Sequence, residues 1–489
     1  MSKWIQKLEE SLLNNSNSVT DVLSGQNMTY DEIYKSGKIY GKNLNLEIQT
    51  IVPVLLPNSI EYLITYIACA TQGLIFAPIP YFLDAVEVDK LLENYKSKLI
   101  VSNREDISYP VKLIQPPNLK ATDFQSELFD HKTDVNVSDS SILSLYYSSG
   151  TTGNPKGVLY THENKFSLIE SIVKDFGFTK ESKHFAFLPF GHTASLNYSV
   201  FPSLFSGSKL FIASGFEKIR SNFFQILAKF KITYVELVPT VAQTLIKLKE
   251  DVSKLDLTNI SFVGCGSAPL SKTIQNEFFS SFQKPLANLY GLSETGPSHF
   301  DNPLETNWKP GSIGKPLSVN NCKIANDGEI LLRGKNVMLG YFNNDKLTNE
   351  VIKDGWFHTG DYGFEQDGNY YFLDRKKDLI ILGGINIYPA EIEDVIYKDS
   401  RVLECAVFGV EDKTLGEKIV AYIKCSLKGH DNLIVMEAEL IELCKKHLSR
   451  FKIPSVIVFV EEIPKTVSGK ILRRSLKELH LQKYHKLDD

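Results

Sequence analysis

The densest run of reactive side chains is Tyr146-Tyr147-Ser148-Ser149-Gly150-Thr151-Thr152-Gly153-Asn154-Pro155-Lys156-Gly157. Three glycines, four aliphatic hydroxyls and one lysine follow the apolar stretch Ile142 to Tyr147. A glycine-rich loop of this kind can wrap phosphate oxygens with N–H and O–H donors. It is not the common P-loop, because that pattern needs Gly where Pro155 stands and Ser or Thr where Gly157 stands. Phosphate binding through a different loop is the chemistry it suggests.

Four further segments carry groups that suit a nucleotide. In Tyr290-Gly291-Leu292-Ser293-Glu294-Thr295 a carboxylate sits among neutral hydroxyl donors, which suits a hard cation such as Mg²⁺ bridging phosphates. Asp361 follows Thr359-Gly360, and Arg375 comes fourteen positions later; a carboxylate accepts from two vicinal hydroxyls and a guanidinium adds fork-shaped donors. Gly264-Cys265-Gly266-Ser267-Ala268-Pro269 ends an apolar strand in small residues. Lys470, in Pro464-Lys465-Thr466-Val467-Ser468-Gly469-Lys470, offers an ammonium near the C-terminus. Aimed at a phosphate that gains charge during displacement, such a group lowers the barrier electrostatically.

These residues need a large scaffold. The 489 residues exceed what one core organises, so at least two domains are expected. A net charge of -4 with interspersed signs gives no broad basic face for nucleic acid. Cys69, Cys265, Cys322, Cys405, Cys425 and Cys444 form no C-x-x-C pair, which reads as a reducing compartment without structural zinc. The N-terminal MSKWIQKLEESLLNN has no apolar signal core and reads as an amphipathic surface helix. Leu63 to Leu83 carries no formal charge, but Thr71-Gln72-Gly73 and Pro78 and Pro80 divide it into a buried helix from Ile60 to Ala70 and a short strand around Leu74 to Ala77. No transmembrane segment and a cytoplasmic location are the expectations.

Strand-length apolar runs alternate with helix-length segments through the first 370 residues or so, as at Ile51 to Leu56, Leu99 to Ser102, Leu210 to Ala213, Tyr234 to Val238 and Ile260 to Gly264. The predicted class is α/β, with layered, largely parallel sheets in a large N-terminal domain. Asn326-Asp327-Gly328 and Gln366-Asp367-Gly368-Asn369 read as hairpin turns of a small antiparallel, barrel-like β unit closing that domain. The charged run Asp374 to Asp378 reads as a linker. From Pro389 the chain reads as helix, strand, strand, helix and a basic tail, a small α+β domain.

With the motifs 290–295, 359–361, 374–384, 389–393 and 464–470 in order behind the glycine loop, the sequence resembles the adenylate-forming superfamily of acyl-CoA synthetases, luciferases and nonribosomal-peptide adenylation domains. The resemblance implies domains 1–375 and 376–489, with a mobile C-terminal domain pivoting at Lys377. It implies that Ser148, Ser149, Gly150, Thr151, Thr152, Gly153 and Lys156 bind the ATP phosphates, with Thr151 and Glu294 at Mg²⁺. Gly266, Ser267, Ala268, Tyr290 and Gly291 would hold the adenine, Thr295 the phosphate, and Asp361 and Arg375 the ribose. Lys470 becomes the adenylation lysine, and Gly383 and Gly384 line a thiol tunnel after domain rotation.

His192, in Leu188-Pro189-Phe190-Gly191-His192-Thr193, matches the family ring beside the carboxylate and thiol path. Relatives that activate amino acids carry aspartate at the next position, whereas Thr193 has no charge for an ammonium. Asn197, Val238, Pro239, Thr240 and Ser298 are the acyl-pocket candidates; without Arg or Lys among them, a fatty or aromatic monoacid is expected. Coenzyme A supplied in trans is the expected acceptor, with the phosphopantetheine of a free-standing carrier protein as the alternative.

Overall fold

The computed structural model describes residues 1–118, 135–148, 155–248, 250–412, 415–465 and 471–484. Among these residues the strands form four sheets. A seven-stranded sheet runs in the order Gly340–Tyr341, Lys156–Thr161, Ile142–Ser148, Ile75–Pro78, Ile51–Leu55, Leu99–Ser102, Lys112–Ile114. A nine-stranded sheet runs Lys315–Pro316, Gly296–Phe300, Leu286–Leu292, Val263–Gly266, Tyr234–Leu237, Lys183–Ala186, Lys209–Ile212, Ser18–Asp21, Asn27–Thr29. The central pairs of both are parallel, as the alternation of strand and helix predicts; both edges of the nine-stranded sheet are antiparallel, whereas the seven-stranded sheet is antiparallel at its Gly340–Tyr341 end and parallel at its Lys112–Ile114 end.

Between these sheets lies a helical layer that the sequence specifies locally. The helix Ile60–Gln72 starts at Ser59, whose hydroxyl accepts from the Tyr62 N–H, and stops at Gly73 in the left-handed conformation. It is apolar nearly all round because it is buried nearly all round. The N-terminal helix Lys3–Leu12 corrects one expectation. It is amphipathic, yet not a surface decoration: Trp4, Leu8 and Leu12, four residues apart, have no exposed surface, and Trp4 donates its indole N–H to Tyr66.

The antiparallel unit is built from Asn320–Ile324, Glu329–Gly334, Trp356–Gln366 and Asn369–Arg375, with the short strand Ile352–Lys353 at its edge. Both predicted turns are present, with Gly328, Asp367 and Gly368 at positive φ. The charged run after it is less solvated than a linker reading suggests. Asp374 is buried, accepts from the Ala390 N–H at the start of the helix Pro389–Ile396, and burial pushes its carboxyl up to about 6.

A separate apolar core, including Ile380, Ile392, Val407, Ile419, Met436 and Leu440, forms under the last sheet. That sheet pairs Ile385–Ile387, Ile380–Leu382, Gly416–Cys425 and Val402–Asp412, with the helix His430–His447 on it. The basic tail is structured where a tail was expected. Val456–Phe459 adds a parallel strand, and Arg473–Tyr484 is a helix that buries Leu476 and His480, one turn apart. The strand expected at 260–264 lies at Val263–Gly266, because a turn closed by the Ile260 N–H on the Leu257 carbonyl occupies its first residues. Among the described residues no helix is long and apolar enough to cross a membrane.

Candidate functional site

Three residues that the sequence separates widely meet where the nine-stranded sheet faces the antiparallel unit. The Tyr290 hydroxyl donates to Asp361 Oδ2 at 2.7 Å, and Arg375 Nε lies 3.4 Å from Asp361 Oδ1. Asp361 and Arg375 are direct cross-strand partners, which is why fourteen residues of chain bring them face to face. Burial first, and Asp361 second, hold the Tyr290 phenol well above its usual range, so it stays a donor.

The support beneath Asp361 is specific. Glu329, itself buried, accepts from the Gly360 N–H at 2.8 Å, lies 3.1 Å from His358 Nδ1, and is 3.6 Å from Lys376 Nζ. Thr359 Oγ1 accepts from the Asp361 N–H and donates to the Ile330 carbonyl. The carboxylate is thus held by backbone and side chains on both sides, the arrangement that a preorganised acceptor needs.

Across the same sheet edge, Glu294 and Thr295 occupy the turn between Leu286–Leu292 and Gly296–Phe300. Tyr341 donates to Glu294 Oε1 at 2.8 Å, and Lys156 Nζ stands 5.4 Å from the Tyr341 ring centroid. Asn336 donates to the Thr295 carbonyl, and Tyr160 to the Ser293 carbonyl. Tyr341 was not marked by any sequence signal, since it lies 47 residues from Glu294. Gly266 ends its strand, Ser267 follows at φ 68°, and Ala268 is half-buried beside it. Gly291 lies at a register shift, where a Cβ would come within 2.4 Å of the Gly296 carbonyl.

The glycine loop is anchored as a hairpin. Ser148 ends one strand and pairs with Lys156, the first residue of the next. Ser149, Gly150, Thr151, Thr152 and Gly153 lie outside the described residues, as does Lys470. The flanks of Lys470 are fixed: Lys465 pairs with Ile471, and Lys465 Nζ lies 2.6 Å from Glu404. Arg473 binds Glu393 at 2.6 Å and the Val407 carbonyl at 3.1 Å.

His192 follows a loop held from below: Asn58 bonds the Leu188 and Ala213 carbonyls and the Phe190 N–H, and Tyr62 donates to the Phe190 carbonyl. Gly191 packs on Pro80 so closely that a Cβ would lie 2.3 Å from Pro80 Cα. The His192 ring lies 5.8 Å from that of Phe82. Asn197 is buried in the π-turn Leu196–Val200, and Gly296 abuts it, which places the turn after Thr295 against an acyl-pocket candidate. Ser298 is buried beside Tyr290, with its hydroxyl 3.4 Å from the Tyr290 carbonyl. Val238 precedes, and Pro239 and Thr240 open, the helix Pro239–Leu248.

Gly383 and Gly384 are not part of this grouping. They form the turn of the hairpin Ile380–Leu382/Ile385–Ile387 with φ of 58° and 82°, and nothing stands within 4 Å of a Cβ built on either. In this arrangement the backbone, rather than crowding, asks for glycine.

Lys165 was missed by sequence reasoning. Its Nζ donates to Asn197 Oδ1 at 2.8 Å and lies 4.7–5.3 Å from the rings of Phe201, Tyr160 and Tyr146, and burial lowers its ammonium to about 7. The signal was available: 165, 168, 169 and 172 form the buried stripe of the helix His162–Asp175.

An α/β body, a small α+β unit after it in the chain, a tyrosine–aspartate–arginine cluster and a hairpin whose strands end at Ser148 and begin at Lys156 are the features of an adenylate-forming enzyme. Residues 9–342 match the AMP-binding enzyme family and residues 391–470 the AMP-binding enzyme C-terminal domain. The chain belongs to that family, and it is an AMP-forming acid–thiol ligase of the acyl-CoA synthetase type. It is 31% identical over 487 residues to 2-succinylbenzoate–CoA ligase of Listeria innocua, covering 98% of this chain and 100% of that one. It is 30% identical over 506 residues to 4-coumarate–CoA ligase 1 of Narcissus pseudonarcissus, covering 94% and 89%. The solved o-succinylbenzoate coenzyme A synthetase of Bacillus subtilis in complex with AMP superposes with a TM-score of 0.84 at 27% identity, over 98% of each chain.

Proposed function

We propose that this enzyme condenses a carboxylic acid with ATP to an acyl-adenylate, releasing pyrophosphate, and then passes the acyl group to the thiol of coenzyme A, releasing AMP. The observation that carries this reading is the cluster of Tyr290, Asp361 and Arg375. It presents a buried carboxylate, fixed from behind, to the vicinal hydroxyls of a nucleotide ribose. Gly266, Ser267 and Ala268 supply small-residue backbone beside the adenine.

The phosphates fall to Thr295, Lys156 and the loop 148–153. Among the described residues no three His, Cys, Asp or Glu side chains group as a metal cage. A lone Glu294, aided by Thr151, fits magnesium, which keeps several waters and takes much of its coordination from phosphate oxygens. When bound, that ion neutralises charge on the phosphates. Lys470 then supplies the ammonium facing the α-phosphate, and the acid's carboxylate displaces pyrophosphate from it. Solved relatives in complex with ATP and magnesium, or with AMP, support the nucleotide and metal.

The second half-reaction needs Lys470 out and a thiol in. We assign domains 1–375 and 376–489 and a pivot at Lys377, with Gly383 and Gly384 admitting the pantetheine arm once the small domain has turned. His192 stands on the carboxylate and thiol path. The named functions of the relatives, CoA ligases of 2-succinylbenzoate, 4-coumarate and long-chain fatty acids, support coenzyme A as acceptor and an aryl or fatty acid as substrate. That the acid carries a single carboxyl rests on the pocket candidates alone, none of which is Arg or Lys, since 2-succinylbenzoate itself has two carboxyls. Pyrophosphate release measured against a panel of fatty, aryl and amino acids, with and without coenzyme A, tests the proposal. Release with amino acids alone would overturn the substrate class.

A further inference from the structure

A group of buried polar atoms lies at the back of the acyl-pocket candidates, and the mechanism above uses none of them. Both carboxylate oxygens of Glu236 are buried without a hydrogen-bond partner among the described residues. The same holds for the hydroxyls of Tyr198 and Tyr234 and for both ring nitrogens of His184. Glu236 is 2% exposed and Tyr198 4%. A carboxyl group left so loses its hydration with nothing returned by the protein. Native structures seldom keep such a group unless something else completes it.

The fold places these groups on one face. Tyr234 and Glu236 are two apart on the strand Tyr234–Leu237, Tyr234 is in register with His184, and Glu236 is in register with Gly264. Tyr198 comes from the π-turn, one residue after Asn197, and burial first and its nearness to Glu236 second hold its phenol well above the usual range. Gly264 lets the Tyr234 hydroxyl lie over the strand, since a Cβ there would stand 2.7 Å from that hydroxyl and 2.7 Å from Leu289 Cδ1. Two residues further along the chain come Val238, just past the end of one strand, and Gly266, the last residue of the other. The polar group therefore forms the deep end of the wall that leads to the adenine motif. Thr193 leaves the near end of that path uncharged.

We infer that the acid activated by this enzyme carries a hydrogen-bond donor, a hydroxyl or an amine, at the end remote from its carboxyl, and that Glu236 accepts it beside Tyr198. The inference rests on the adenylation reading and narrows its substrate. Without a ligand, burial pushes the Glu236 carboxyl up to about 8 and the His184 ring down to about 3, so both are neutral near pH 7. An incoming donor favours the ionised carboxylate, which makes the bond charge-assisted.

The test compares paired acids: 4-hydroxycinnamate and 4-aminocinnamate against cinnamate, and 12-hydroxydodecanoate against dodecanoate, by acid-dependent pyrophosphate release in the full-length enzyme. Wild type should prefer the donor-bearing member of at least one pair by about 10- to 100-fold in kcat/KM. Which donor-bearing acid wins separates phenol, amine and aliphatic alcohol. Glu236→Leu should bring that pair within about threefold and should not lower the thermal midpoint, because it removes an unpaired buried acid. Tyr198→Phe, which keeps the ring, should weaken the same preference. Pyrophosphate release without preference in every pair, or an undiminished preference in Glu236→Leu and Tyr198→Phe, overturns the inference while leaving adenylation standing. No release with any acid overturns both.

Discussion

Asp361→Ala tests the ribose assignment, and the structure sets the size of the effect. Asp361 is 2% exposed and already holds the Tyr290 hydroxyl and the Arg375 guanidinium. Two ribose hydroxyls donating to a carboxylate are each worth about 1.5–3 kcal/mol, measured against water. The lower part of that sum applies, since the Asp361 carboxylate is already shared with Tyr290 and Arg375. A net loss of about 3–4 kcal/mol corresponds to ATP and AMP binding weakened by roughly 10²- to 10³-fold. Asp361→Asn keeps the shape and one acceptor oxygen, so it should fall between wild type and alanine. Isothermal titration with AMP reads the affinity directly, and thermal melts without ligand show whether the loss of the Tyr290 bond unsettles the fold. Alanine and asparagine variants that fold normally and bind AMP as wild type does would refute the assignment of Asp361 to the ribose.

Other outcomes can be stated briefly. Lys470→Ala should leave ATP binding nearly intact and suppress adenylate formation by orders of magnitude, while transfer from presupplied acyl-adenylate survives; single-turnover assays of each half-reaction decide. Gly384→Leu should spare adenylation and block thioester formation, but leucine at φ 82° also strains the hairpin, so Gly384→Asn, which tolerates that conformation, is the cleaner probe. Normal acyl-CoA production by both variants would remove the tunnel. Because the Glu236 carboxyl is raised to about 8 in the fold and titrates near the usual carboxylate value when unfolded, the folded protein binds the extra proton between those values. Its contribution to stability is full at low pH and is lost as pH rises toward 8, the loss reaching about 3 kcal/mol at pH 7. Glu236→Leu should therefore gain on wild type as pH rises from 5 to 8 in denaturant melts. Trp4→Ala should cost about 3–5 kcal/mol, since the side chain is wholly buried and bonded to Tyr66.

The hairpins at 326–328 and 366–369 were legible because an Asp-Gly turn is a local signal, and the Asp361–Arg375 pairing follows from the second of them. The Ser148–Lys156 pairing around the glycine loop is what the structure adds, since glycine spacing marks a loop without saying which strands flank it. Tertiary burial was harder to read. Lys165 and Glu236 are charged types inside apolar periods, which a composition-based reading assigns to solvent; the helical spacing of 165 with 168, 169 and 172 pointed inward for Lys165, whereas Glu236 is revealed by the burial of its strand. The tail was read as basic because Arg473, Arg474, Lys477 and Lys483 dominate it, although Leu476 and His480 at helical spacing carried the opposite message.

The measurement nearest the centre of this account is pyrophosphate release and AMP formation by the purified chain with ATP, magnesium and coenzyme A, with and without a carboxylic acid. Release that needs the acid, accumulates acyl-adenylate when coenzyme A is left out, and collapses in Lys470→Ala is the predicted result. ATP left uncleaved with every fatty and aryl acid offered, or cleaved equally without any acid, would contradict it.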